Sequence, residues 1–128
     1  MRVLEAGDWS LLLPEEWFAE QEDDAIIIGD RDGVGCLEIS ELRSERGHFT
    51  ADEVRDIAEL GDEGSSVTAG SFSGLHATFV EDDAALREWY LTAEGLMLYV
   101  TYSCDLDNQG LDDAVVDEIM GTLRYAAE

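Results

Sequence analysis

The sequence predicts an α+β fold, a mostly antiparallel β-sheet with two amphipathic helices packed on it. Three observations carry this. Short apolar segments with period-two alternation or β-branched runs follow one another, separated by turn signals, as antiparallel strands do. Two stretches with helical spacing, beginning near Thr50 and Leu111, interrupt the strands once and close the chain. The 128 residues with 45% hydrophobic content suit one domain, 1–128, able to bury a core unaided.

In chain order, "DWSLLLP" alternates Trp9, Leu11 and Leu13 with Ser10 and Leu12, a strand ended by Pro14. "EEWFAE" continues as a short extended piece outside regular alternation, with Trp17 and Phe18 expected as a half-exposed contact. "DAIIIGD" has three consecutive isoleucines and predicts a strand buried on both faces. "GVGCLEISEL" predicts another, with Leu37 and Ile39 on one face and Cys36 and Glu38 on the other.

"TADEVRDIAELG" predicts a helix. Thr50 and Glu53 have capping-box spacing, Val54, Ile57 and Ala58 form an apolar stripe, and Gly61 supplies the stop. Four strands follow. "SSVTAGSF" and "GLHATFVEDD" are expected to meet at a turn around Ser73 and Gly74. "ALREWYLTAEGLMLYVTYSC" reads as a hairpin turning at Ala93, Glu94 and Gly95, with Trp89 facing inward. In the closing helix, Leu111, Val115, Ile119 and Leu123 recur at four-residue steps toward the sheet, with Val116 and Met120 beside them.

Charge is the loudest compositional feature. Thirty-one acids face 7 basic residues, all arginine, for a formal net charge of -24. Such a surface repels nucleic-acid phosphates and anionic lipid, so neither is an expected partner. Three origins stay open: solvation at high salt, docking of a basic protein partner, or codon bias that removes lysine. No apolar run approaches the roughly 20 residues of a membrane span. The opening apolar stretch is too short and too acidic for a signal peptide, so a cytoplasmic location is expected. Cys36 and Cys104 lie in strand-like segments without metal spacing, and buried free thiols are expected.

"DRDGVGCLEISE", residues 30–41, places Asp30, Asp32, Gly35, Glu38 and Glu41 at five positions of a calcium-binding EF-hand loop. The fifth position is Val34, however, and the flanks are strand formers where an EF-hand needs helices. The expectation is therefore a hairpin turn with Asp32 and Gly33 at the bend, and Glu38 and Glu41 on opposite faces of the sheet. That leaves at most a surface cation at Asp30 and Asp32. No phosphate-binding loop, nucleophile elbow or dinucleotide fingerprint is present, and no cofactor or catalytic residue is expected. Asp82–Asp83 and Asp112–Asp113 are adjacent pairs whose carboxylates diverge.

The segments "WSLLLPEEW" and "REWYLTAEGLMLYVTYSC…AVVDEIMGTL" together resemble the Mog1/PsbP-like group of small α+β domains. The resemblance spans most of the chain in order and rests on hydrophobic pattern. It implies a twisted antiparallel sheet with helices against it, and mostly non-catalytic roles in binding, assembly and accessory functions. It carries no shared catalytic motif. The functional expectation is a protein-binding accessory or immunity-type module whose acidic surface, with Trp17, Phe18, Asp82 and Asp83 as contact residues, engages a basic partner. The rival is a small enzyme or ligand-binding domain with a pocket near His76 and Cys104.

Overall fold

The computed structural model describes residues 1–31 and 33–125. Its elements in chain order are β1 (Arg2–Glu5), β2 (Trp9–Leu13), β3 (Trp17–Gln21), β4 (Ile26–Asp30), β5 (Gly35–Arg43) and α1 (Ala51–Ala58). After a 3-10 turn at Gly61–Glu63 come β6 (Ser65–Ala69), β7 (Phe72–Glu81), β8 (Ala84–Ala93) and β9 (Leu96–Asp105). A second 3-10 turn at Leu106–Asn108 leads to α2 (Asp113–Gly121) and β10 (Arg124–Tyr125). A seven-stranded antiparallel sheet has the order β3-β4-β5-β9-β8-β7-β6, and a three-stranded sheet has the order β1-β2-β10.

Period two decides what lies on each face of the large sheet. On one face, Ile26, Ile28, Leu37, Ile39, Leu98, Val100, Trp89, Leu91 and Phe72 join Trp9, Leu11 and Leu13 of β2 and Val116, Ile119, Met120 and Leu123 of the closing segment in the main core. The small sheet and α2 thus cover this face. On the opposite face α1 covers only one end, where Val54 and Ala58 meet Tyr90 and Met97. The expected capping box is formed: Thr50 Oγ1 accepts from Glu53 N at 3.1 Å, and Glu53 Oε1 accepts from Thr50 N at 2.9 Å.

Several expectations are corrected. Trp17 is a core residue, 4% exposed, because strict alternation resumes at once in β3 and turns Trp17 and Ala19 toward Ile28. Ile27 of β4 is only half-buried, since it points to the face that α1 does not reach. Ile57 is exposed, and the left-handed residue that stops α1 is Glu59, with φ 55°, rather than Gly61. The β6–β7 turn falls at Gly70 and Ser71; Ser73 and Gly74 lie inside β7. Leu111 precedes α2 and is exposed, so the inward stripe is Val116, Ile119, Met120 and Leu123. The β8–β9 hairpin turns at Glu94 and Gly95, both with positive φ, where its strands end at the Ala93–Leu96 pair.

β1 and β10 have no counterpart in the expected order. Each is held by pairing with β2, and the closing segment stitches the sheets together. Leu12 N donates to Thr122 Oγ1 at 2.9 Å, and Ser71 N donates to Leu123 O at 2.9 Å.

Candidate functional site

The residues expected to contact a partner separate into two groups. Trp17 is unavailable, as its indole is packed in the core. Its neighbour Phe18 points the other way and is 44% exposed. Asp82 and Asp83 are exposed and form the β7–β8 turn, with Asp82 at φ 55°. Phe18 pairs with Gly29, which pairs with Cys36, which pairs with Ser103, so register carries Phe18 to the same end of the large sheet as that turn. Four strand spacings separate β3 from β8, roughly 19 Å.

Between them lies an open groove of about 520 Å³, lined by Asp30, Gly33 and Cys36 on one side and Ala84, Ser103 and Asp105 on the other. Leu106 N donates to Asp83 O at 2.7 Å, which fastens the second 3-10 turn, with exposed Leu106 and Asp107, to the rim. Asp105, Leu106 and Asp107 had no signal of their own in the sequence; the pairing of β8 with β9 brings them beside Asp82 and Asp83, and that of β5 with β9 brings Asp30 to the same groove.

The acidic stretch at residues 30–41 begins at the hairpin connection between antiparallel β4 and β5 and continues as β5 from Gly35. Asp32 lies outside the described residues. Asp30 Oδ1 accepts from Gly33 N at 2.8 Å, and Gly33 has φ 67°. Glu38 is on the open face, whereas Glu41, three residues on, accepts from Trp9 Nε1 at 3.0 Å on the core side. The two carboxylates therefore face apart. Among the described residues no group of three potential ligands gathers around a common point.

His76 and Cys104 share the core side of the sheet without converging. His76 pairs with Trp89 and Cys104 with Ala85, four residues apart along β8, or roughly 14 Å. His76 meets Arg87 instead: its Nε2 accepts from Arg87 Nε at 3.1 Å. Arg87 lies over the Trp89 ring at 4.6 Å and reaches α2 through Asp117 at 2.6 Å and Asp113 at 3.5 Å. This arrangement requires a neutral imidazole. Burial, and then the Arg87 charge, lower the His76 pKa from 6.5, while Asp117 and Asp113 oppose the shift.

A folded-state pKa below the unfolded value makes the contribution complete above pH 6.5 and lost as pH falls through the lowered value. The stability advantage of the wild type over His76→Gln, read from urea midpoints, should therefore shrink as pH is lowered from above 6.5. An advantage that grows on acidification would show that the imidazole is held in its charged form.

Cys104 lines a small cavity of about 40 Å³ with Thr78, Arg87, Tyr102 and Asp113, room for water rather than a substrate. Tyr102 donates to buried Asp112 Oδ2 at 2.5 Å, behind the cavity. The other thiol, Cys36, has its pKa raised by burial and then by Glu38, so it stays protonated and weakly nucleophilic. The two cysteines occupy opposite faces of the sheet and are both free.

A third polar cluster lies on the open face. Glu88 accepts from Tyr90 at 3.3 Å through one oxygen and from Tyr99 at 3.2 Å through the other, and the two rings stack with centroids 4.9 Å apart. Burial, followed by the charge of Glu88, raises both tyrosine pKa values and keeps the hydroxyls protonated as donors. Sequence patterning identified Tyr90 and Tyr99 as strand residues, but their cross-strand pairing is what positions this carboxylate.

An open seven-stranded antiparallel sheet is covered on one face by a small sheet and a helix, and this α+β fold matches that of PsbP-like solved structures. No family model matches the chain, and no curated protein matches it. Solved structures do. A Bacteroides thetaiotaomicron protein superposes with a TM-score of 0.72 at 17% identity over 94% of this chain; the match spans 46% of that protein, less than half its length. Cyanobacterial PsbP (CyanoP) from Synechocystis sp. PCC 6803 gives 0.67 at 10% identity, covering 97% of this chain and 91% of its own. LpqN, involved in cell envelope biogenesis of Mycobacterium tuberculosis, gives 0.61 at 15% identity, covering 98% and 90%.

Proposed function

We propose that this protein is a non-catalytic accessory module that binds another protein, and that the acidic end of its large sheet receives a basic partner. The observation that carries the reading is the open groove with Asp30 and Asp105 in its walls, flanked by exposed Phe18 and by the Asp82–Asp83 turn. An exposed aromatic beside dispersed carboxylates suits a partner that presents lysine or arginine around an apolar contact. With a formal net charge of -24, long-range attraction would speed the encounter, and salt would slow it. A cytoplasmic setting belongs to the same proposal, supported by two free thiols of which Cys36 is half-exposed.

The test is affinity capture from native lysate at low and high salt, followed by titration of the captured protein. One basic protein should be held at low salt and lost at high salt. Phe18→Ala combined with Asp82→Asn and Asp83→Asn should weaken it about tenfold, or ~1.4 kcal/mol. Equal affinity of that triple variant, or no specific capture at low salt, would overturn the reading.

A further inference from the structure

The face of the large sheet opposite the main core is covered by α1 at one end only. Beside α1, Leu42 (47% exposed) and Ile57 (42% exposed) border an apolar groove of about 370 Å³, with Met97 and Tyr90 as its floor and Tyr99 as a wall. Strand register places the next row of side chains on this face at Glu38, Thr101 and Glu88, about 7 Å further along the strands. An apolar groove is thus followed directly by two carboxylates.

Their roles differ. Glu38 is exposed. Glu88 is held by the Tyr90 and Tyr99 hydroxyls, each of which occupies one of its oxygens. A carboxylate oxygen has a second lone pair, so this fixed anion retains capacity for an incoming ammonium or guanidinium. The arginines at the α1 end already have carboxylate partners, Arg46 with Glu53 and Arg55 with Asp52.

Resting on the basic-partner reading, we infer that the Leu42–Ile57 groove anchors an apolar side chain of the partner, while a lysine or arginine a few residues away in the same segment meets Glu38 and Glu88. Charge complementarity selects this occupant. A second copy of the chain would bring another net charge of -24 and no lysine to the same acidic row, so self-association is opposed by repulsion. From Met97 to Asp105 the face runs eight residues along β9, about 27 Å, so one extended segment spans the distance from the anchor to the acidic end.

The test is a titration of isotope-labelled protein, followed by NMR, with a synthetic peptide of repeating Leu-Ser-Lys-Ser, in which leucine and lysine two residues apart share one face of an extended segment. Parallel titrations use serine–lysine and leucine–glutamate versions. The leucine–lysine peptide should bind saturably and shift the amides of Leu42, Ile57, Met97 and Tyr99. Leu42→Asp should weaken it at least tenfold, with Ile57→Asp, on the exposed side of α1, as an independent second variant. The serine–lysine peptide should bind more weakly and the leucine–glutamate peptide not at all.

Equal binding of the serine–lysine peptide would reduce the effect to diffuse charge and overturn the anchor, as would indifference to both variants. Concentration-dependent broadening at Leu42 and Ile57 without peptide would assign the groove to a second copy and overturn it too. Shifts confined to Phe18, Asp82, Asp83 and Asp105 would overturn the anchor while leaving the basic-partner reading standing. No shift with either lysine peptide would count against both.

Discussion

Trp17→Ala is expected to lower the unfolding free energy by about 3–5 kcal/mol, whereas Phe18→Ala one residue away should cost less than about 1 kcal/mol. Trp17 packs in the main core at 4% exposure, alongside Leu13, Ile28 and Leu37. Removing its indole leaves a cavity between the two sheets, and the surrounding strands are tied by their ladders and cannot collapse into it. Phe18, at 44% exposure, gives up little buried area on truncation. Chemical denaturation of both variants measures the pair. A loss at Trp17 as small as that at Phe18 would mean that Trp17 is on the surface.

Gly74→Ala should cost about 3 kcal/mol or more, at the upper end of the overpacking range, while Gly121→Ala should gain up to about 1 kcal/mol. At Gly74 an added Cβ would lie 1.8 Å from the carbonyl oxygen of Tyr90 and 3.2 Å from the Cα of Leu91. Those atoms belong to the β8 backbone, so no rotamer change relieves the clash, and β7 must part from β8 at the second of their nine residue pairs. At Gly121 nothing lies within 4 Å, and the residue ends α2, so the methyl group meets only solvent and reduces the freedom of the unfolded chain. Thermal unfolding of the two variants should shift in opposite directions; a destabilised Gly121→Ala or a tolerated Gly74→Ala would contradict the packing described.

How far the fold is legible in the sequence follows from how local each signal is. The Leu37–Ile39 alternation, the Thr50–Glu53 capping box and the β8–β9 turn depend on residues a few positions apart; the first two form as expected, and the turn falls at Glu94 and Gly95, with Ala93 still paired in β8. Trp17 was misplaced because Trp17 N donates to Pro14 O at 3.0 Å, a tight turn that restarts the alternation at once instead of leaving an irregular piece. Gly74 was read as a turn glycine, yet its missing side chain serves a close strand approach; the turn glycine is Gly70, with φ 62°. Both roles favour glycine, and only the partner strand distinguishes them.

The candidate site was legible in part. Phe18, Asp82 and Asp83 were singled out from the sequence and are exposed. Asp30 and Asp105 are 75 residues apart, and only the β4–β5–β9 register makes them two walls of one groove. The Glu88–Tyr90–Tyr99 cluster escaped notice for the same reason: strand alternation gives the face of each residue, but not its neighbour across the ladder.

The three-stranded sheet has a consequence for biosynthesis. Its middle strand, β2, is made early, but one neighbour, Arg124–Tyr125, is made after every strand of the large sheet, and the Thr122 hydroxyl bonded to Leu12 N arrives only just before it. As the chain leaves the ribosome, β2 therefore waits for this partner while about 110 residues are added, several seconds or more at ordinary synthesis rates. Closure is a long-range, high-contact-order event, expected to be slow beside the formation of the β7–β8–β9 meander. Over that interval the excess of acidic residues makes neighbouring nascent chains repel one another while the core is still open.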